Sequence, residues 1–383
     1  MHGSRLSGRK VILLAQYGYS GGTRTYLRTL ITFYSQLGVE LLVVRDGPLS
    51  DPEMDQRIAE CGYRSITFAE ALGGPEPDYG IWDKLAGGVS LRRKSIESQA
   101  FRALLERESA DLVVASVGQP GAHLGAVASS SRAIYLLHTY PHGLRSRILR
   151  PVRFGMLQPH IQLVSVSRFA ASTIEEVWRL PSGRVRVLYS TAGPVMPILG
   201  RGGGGPTTVI TLGHVDRHKD PGTWIAMTEQ VLSIYPSVRF VWAGEGPLID
   251  WCKGEVAKRN LTQSVAFPGL VSNVDELMRS AAVYVQPSRV ESLGLGVLDA
   301  ARRGIPCVVS AVGGLSEVVK DGESGFLCRP GDADGFASGV GRLISDPEFA
   351  HQLGANALNE YRMRFSLEAW TSTLTELHEA ALA

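Results

Sequence analysis

The sequence contains only four cysteines in 383 residues, Cys61, Cys252, Cys307 and Cys328, and they stand far apart. That spacing supplies neither the paired ligands of a structural zinc site nor a disulfide framework; reduced thiols in a cytosolic protein fit it best. Long apolar runs are missing too, none reaching the roughly 18 residues that a membrane-crossing helix needs, which argues against an integral membrane protein. The run 11–15 behind Arg5, Arg9 and Lys10 is too short for a signal peptide and reads as a first buried strand. Charge of one sign is equally scarce. With 39 Lys and Arg against 37 Asp and Glu, the formal charge of +2 implies no nucleic-acid partner, and any basic patch has to be local.

What is present is an ordinary globular composition, 44% hydrophobic and 20% charged, in a chain long enough for two domains of about 150 to 200 residues. Short apolar runs at 11–15, 41–44, 112–115, 134–137 and 163–166 alternate with helical patterns. Each run is bounded by polar or glycine residues, which is the signature of buried parallel strands in βαβ units. Between the first two, Leu27, Leu30, Ile31 and Tyr34 follow three-and-four spacing, and Gly38 stands where the helix should stop. Its entrance is the loop Gly18-Tyr19-Ser20-Gly21-Gly22-Thr23. Near residue 200, Pro194 and Pro197 precede four glycines, Gly202 to Gly205, and Pro206, a composition that reads as a linker. Strand and helix patterns resume at 209–212, 240–243, 283–286 and 307–310. We therefore expect an N-terminal domain over 1–198, a second over 206–366, and a terminal helix over 367–383, patterned by Trp370, Leu374 and Leu377, that packs back on the first domain. The expected fold is α/β, with two Rossmann-like domains facing across a cleft at the carboxyl ends of both sheets, where ligands of open sheets bind.

Chemistry concentrates in the stretch from Pro287 to Ala300, closed by Gly304-Ile305-Pro306. Glu291 and Asp299 stand eight positions apart; on a continuous helix they would be about 12 Å apart along the axis and about 80° apart in azimuth, within reach of one ligand. Amides near Leu293, Gly294 and Leu295 would open that helix and face a phosphate. Taken alone, either acid reads as a residue complementing a helix dipole or facing solvent. A lysine in a loop, such as Lys219, is likewise ordinarily a solvated charge.

The neighbours change that reading. Pro287-Ser288, Glu291, Leu293-Gly294, Ala300, Gly304, Pro306 and Gly313-Gly314 together resemble the donor-binding region of family 4 retaining glycosyltransferases, which have the GT-B fold. Gly213, Lys219, Gly244-Glu245-Gly246-Pro247, Phe267-Pro268-Gly269 and Gly313-Gly314-Leu315-Ser316-Glu317 extend the resemblance, in the family order, through most of the second domain. The family pattern is Glu-x7-Glu and this chain has Asp299 at the second acid, one methylene shorter. The resemblance implies Glu291 near the transferred sugar, Asp299 on the donor ribose, and Lys219 on the diphosphate. His214 stands at the usual arginine position, and either it or Arg217 supplies the second charge.

The first domain resembles the family less closely. Gly21 and Gly22 look like its glycine loop after the first strand, with a tight strand-to-helix turn as the plainer reading; neither a dinucleotide fingerprint nor a Walker lysine accompanies them. His138, at the end of the strand 134–137, resembles the family's active-site histidine. Ser165-Val166-Ser167-Arg168 resembles a strand-to-helix element on the acceptor side and is assigned no catalytic role. Pro141 argues against a helical metal pair of His138 and His142. Asp332-Ala333-Asp334, after Pro330-Gly331, reads as a helix cap rather than a metal motif. Arg145, Arg147, Arg150 and Arg153 alternate with Leu144, Ile148, Leu149 and Val152; contact with anionic lipid or a lipid-linked acceptor and a solvated or phosphate-binding surface helix stand as equal readings.

The resemblance thus implies an enzyme that moves a hexosyl or related sugar, with retention and without a metal or cofactor, from a nucleotide diphosphate sugar to an acceptor hydroxyl on a sugar or lipid-linked molecule. It would be cytoplasmic, with peripheral contact at the inner membrane face under the lipid reading. A catalytically weak nucleotide-sugar-binding protein, favoured by His214 and Asp299, and a sugar phosphorylase are the alternatives.

Overall fold

A computed structural model describes residues 6–15, 22–45, 52–67, 70, 91–117, 123–141, 155–197, 207–271 and 273–383. The chain divides into two units, Met1–Leu188 with Thr371–Ala383, and Tyr189–Trp370. Gly18 to Gly21, the residues 142–154 that carry His142 and the four arginines, and the glycines of 202–205 lie outside the described residues.

The strands of the first unit are β1 (Lys10–Ala15), β2 (Glu40–Arg45), β3 (Arg64–Thr67), β4 (Leu112–Val117), β5 (Ala133–Leu137), β6 (Ile161–Ser165) and β7 (Val185–Val187), all parallel, in the order 3-2-1-4-5-6-7. Its helices are α1 (Gly22–Leu37), α2 (Pro52–Glu60), α3 (Leu91–Glu108), α4 (His123–Ser130) and α5 (Arg168–Trp178). Such a sheet is covered on both faces, so its strands are apolar at nearly every position; the burial of Val11 to Ala15 and of all of β4 follows from that. Gly38 takes a positive φ of 66° just beyond Leu37, the left-handed turn that ends α1. Ser167 caps α5 by accepting from the Ala170 amide at 3.1 Å.

In the second unit, β8 (Thr208–Leu212), β9 (Arg239–Ala243), β10 (Val265–Gly269), β11 (Ala281–Gln286), β12 (Cys307–Ser310) and β13 (Gly325–Cys328) form a parallel sheet in the order 10-9-8-11-12-13. Its helices are α6 (Pro221–Ile234), α7 (Ile249–Lys258), α8 (Val274–Arg279), α9 (Leu295–Ala301), α10 (Leu315–Val318), α11 (Ala333–Ser345) and α12 (Pro347–Arg364). The core on one face of the sheet gathers Trp224, Phe240, Trp242, Val283, Phe336 and Val340, and the two indoles meet edge-on with centroids 5.3 Å apart. Asp332 caps α11 by accepting from the Gly335 amide at 2.9 Å.

The last helix, α13 (Leu367–Leu382), contributes its residues from Thr371 onward to the first unit. There His378 Nε2 lies 2.8 Å from the Tyr34 hydroxyl, and Arg132 donates to the Leu382 carbonyl at 2.8 Å.

The division between units falls at Leu188, earlier than the expected end of the first domain at residue 198. The reason is local bonding. The Tyr361 hydroxyl accepts from the Ala192 amide at 3.2 Å and lies 3.1 Å from Thr191 Oγ1, while the Met196 amide donates to the Arg302 carbonyl at 3.1 Å. Residues 189–197, which include Pro194 and Pro197 of the segment that reads as linker, are therefore built into the second unit.

Candidate functional site

In both sheets the strand order reverses at one point. The second unit runs outward from β8 through β9 to β10, then restarts beside β8 with β11. A crevice opens at the carboxyl ends of two strands whose connections leave in opposite directions, which is the general ligand position of open α/β sheets. Lys219 follows β8 and Glu291 follows β11, so both candidate residues of that unit lie at its switch point.

The Lys219 side of the site begins at Gly213, with φ of 137°. Its carbonyl accepts from Trp242 Nε1 at 3.0 Å, and a Cβ on Gly244 would stand 2.0 Å from it. Only glycine at 244 lets the two strand ends close to this distance. Asp216 then caps a short 3-10 turn, its Oδ1 accepting from the His218 amide at 2.8 Å and the Lys219 amide at 3.1 Å. Lys219, half-buried, is delivered by that turn. His214 and Arg217 are exposed.

On the Glu291 side, α9 starts at Leu295 behind Gly294, whose φ is 100°, and Glu291 sits on the preceding loop, at the turn from strand to helix. The separation of about 12 Å along a continuous helix does not apply to Glu291 and Asp299, because a left-handed residue stands between them. The loop is held from below: the Gly314 amide donates to the Glu291 carbonyl at 3.3 Å, and a Cβ on Gly313 would lie 1.9 Å from that oxygen. Glu291 Oε2 pairs with Lys219 Nζ and accepts from Gln286 Nε2 at 2.6 Å. The sequence reading had Gln286 only as the end of a strand. A glutamine closing the otherwise apolar run of β11, buried from Ala282 onward, was the available signal.

Asp299 is buried on α9 among arginines. Its Oδ1 accepts from Arg302 Nε and Arg303 Nη1, each at 2.6 Å, and both guanidiniums also reach Asp275. Its Oδ2 is buried with no hydrogen-bond partner among the described residues. One oxygen is thus fixed by two cations while the other remains an acceptor in need of a donor.

The first unit's switch point lies between β1 and β4. Gly22 opens α1 behind β1, and Gly21 lies outside the described residues. His138, just past β5, has Nε2 2.8 Å from Ser116 Oγ on β4 and meets the Tyr26 ring edge-on at 4.6 Å. Burial lowers its pKa to about 4, so the imidazole is neutral at neutral pH.

Residues 202–360 match the family model for glycosyl transferases group 1. A glycogen synthase of Mycobacterium tuberculosis is 28% identical over 179 residues, which is 46% of this chain and 43% of that protein. The putative glycosyltransferase EpsD of Bacillus subtilis is 32% identical over 145 residues, 38% of each chain. The chain therefore spans less than half the length of these curated relatives. Among solved structures, Anabaena Alr3699/HepE in complex with UDP and glucose superposes with a TM-score of 0.74 at 18% identity, covering 97% of this chain and 99% of that one. The chain has the GT-B fold. Within that fold, the residues matched by the family model contain the whole constellation of Lys219, Gln286, Glu291 and Asp299.

Proposed function

We propose that this protein is a retaining glycosyltransferase that takes a sugar from a nucleotide diphosphate sugar and places it on an acceptor hydroxyl. The carrying observation is the meeting of Lys219 and Glu291 at the second unit's switch point, a cation suited to a diphosphate beside a carboxylate suited to sugar hydroxyls. The group 1 match over the same residues supports it.

In this reading Lys219 takes up the negative charge that grows on the departing diphosphate as the bond from the anomeric carbon to oxygen breaks. A fixed cation whose position is set before reaction stabilises that charge without a metal. Arg217 or His214, both exposed beside it, supplies the second charge, and the amides of Leu293, Gly294 and Leu295 flank the phosphates. Glu291 accepts from a hydroxyl of the sugar and Asp299 Oδ2 from a ribose hydroxyl, which would satisfy the buried oxygen that otherwise has no partner. In the first unit we assign His138 the role of a neutral hydrogen-bonding group for sugar, and Gly21 and Gly22 that of a side-chain-free approach to ligand. Retention follows if the acceptor attacks from the face the diphosphate leaves.

The crystal of the Anabaena protein with UDP and glucose makes UDP-sugars the first donors to assay, followed by GDP- and ADP-sugars. Lys219→Ala and Glu291→Ala should each lower transfer by about a hundredfold or more while leaving the thermal unfolding midpoint near that of wild type. Wild-type turnover in both variants overturns the site. A second reading, a nucleotide-sugar-binding protein without turnover, is favoured by the two arginines that occupy Asp299 Oδ1. Tight donor binding with neither transfer nor hydrolysis would establish it instead.

A further inference from the structure

Lys219 cannot hold Glu291 and serve a diphosphate with the same ammonium at full strength. Something else has to keep the carboxylate in place once a donor is bound, and the interior of β11 contains it. We propose that Gln286 is the positioning residue for Glu291, with Tyr284 fixing the orientation of its amide; this rests on the transferase reading above.

Gln286 is 2% exposed and Tyr284 is fully buried, on alternate positions of a central strand. Alternation puts both side chains on one face of the sheet. The Tyr284 hydroxyl lies 3.0 Å from Gln286 Oε1 and 3.2 Å from the Leu212 carbonyl, two acceptors for its one proton, and accepts from the Leu212 amide at 3.4 Å. The Glu291 carboxylate only accepts, so the NH2 end of the amide faces it, and a phenol kept from ionising by its burial can donate to the acceptor end. Nε2 then donates to Glu291 Oε2 at 2.6 Å. Room for this arrangement comes from Gly296 on α9, where a Cβ would stand 2.1 Å from the Tyr284 hydroxyl and 3.5 Å from Gln286 Oε1.

A neutral donor suits the task. A second lysine here would hold the carboxylate as firmly but cancel its negative charge, whereas an amide orients it and leaves the charge to face a sugar that becomes positive as its glycosidic bond breaks. The line Tyr284, Gln286, Glu291 runs from core to site, and each member on it is oriented by the one behind.

The test compares full-length Gln286→Leu, Tyr284→Phe and their double variant with Lys219→Ala and Glu291→Ala, using the donor that wild type turns over. Gln286→Leu should lower kcat by about tenfold or more, since a hydrogen bond to a charged group is lost, while KM for the donor changes by less than about threefold. Tyr284→Phe should give a smaller loss, and the double variant should be no worse than Gln286→Leu, because Tyr284 acts only through the amide. Damage to folding alone would instead lower the melting midpoint in step with activity. Wild-type kcat in Gln286→Leu, or additive losses in the double variant, while Lys219→Ala and Glu291→Ala stay inactive, overturns the positioning role and leaves the transferase reading standing. Full activity in all the variants overturns both.

Discussion

Acid should loosen the attachment of α13 to the first unit through His378. Its Nδ1 lies 2.8 Å from the Leu374 carbonyl, which can only accept, so Nδ1 carries the proton and Nε2 accepts from the Tyr34 hydroxyl at 2.8 Å. Around this neutral ring stand Tyr34 and Phe33, and no carboxylate is paired with it among the described residues. Burial lowers the His378 pKa from 6.5 to about 4, outweighing the opposing bond to the Leu374 carbonyl. The folded pKa is depressed, so the unfolded chain takes up the proton first as pH falls. Stability is therefore complete above the unfolded value and is lost from there down toward the folded one. Linkage across those two values gives a loss of about 2 kcal/mol between about pH 7 and about pH 5 from this one residue.

His138 titrates over the same window for the same reason, so the useful quantity is the difference between wild type and His378→Phe. Glu108 and Asp111 have depressed pKa values through their hydrogen bonds with Lys10, and their stabilisation, present above ordinary carboxylate values of 4.5 and 3.8, fades only at lower pH. Urea unfolding at a series of pH values, followed by far-ultraviolet circular dichroism, measures the effect. The transition that His378→Phe shifts near neutral pH belongs to the unit holding the helix. The variant should start about 1 to 2 kcal/mol less stable, since Tyr34 loses its acceptor, yet lose about 2 kcal/mol less on acidification. Equal pH slopes in the two proteins would refute the buried-imidazole account.

Further outcomes follow from the second unit. Gly313→Ala should destabilise by about 2 kcal/mol or more and reduce transfer, because a side chain at φ 54° would also press on the Glu291 carbonyl; Gly322→Ala, at φ 71° with nothing within 4 Å, should cost only about 1 kcal/mol and spare activity. Equal effects in the two would remove the contact with Glu291 from the explanation. Tyr361→Phe should lower stability by about 1 to 3 kcal/mol in the same unfolding assay and raise proteolytic cleavage between Tyr189 and Pro197, since three groups of that segment lose their shared partner. Unchanged cleavage would show that the segment is held by other means.

The limits of sequence reading fall along a physical line. Every strand recognised from its apolar run, β1, β2, β4, β5, β6, β8, β9, β11 and β12, lies inside its sheet, and the four left unrecognised, β3, β7, β10 and β13, are the four edges. An interior strand of a parallel sheet is buried on both faces and shows as a continuous apolar run. An edge strand needs no such run: β7 is three residues long, β10 carries Pro268, β13 opens with Gly325, and β3 has no fully buried position.

The same distinction holds at the site. Composition and periodicity by themselves determined an α/β chain with two strand-helix halves, because burial and backbone geometry restrict which residue types are tolerated there; it was the family resemblance of the ordered motifs that pointed to Glu291, Lys219 and Asp299. Tertiary structure alone decided that Lys219 and Glu291, 72 positions apart, form a pair; that Gln286 stands behind them; and that Arg302 and Arg303 beside Asp299 also reach Asp275. It also decided that residues 189–197 belong to the second unit. Residue type records whether a position is buried and what backbone it allows, whereas the partner of a charge depends on which strand ends the sheet order brings side by side.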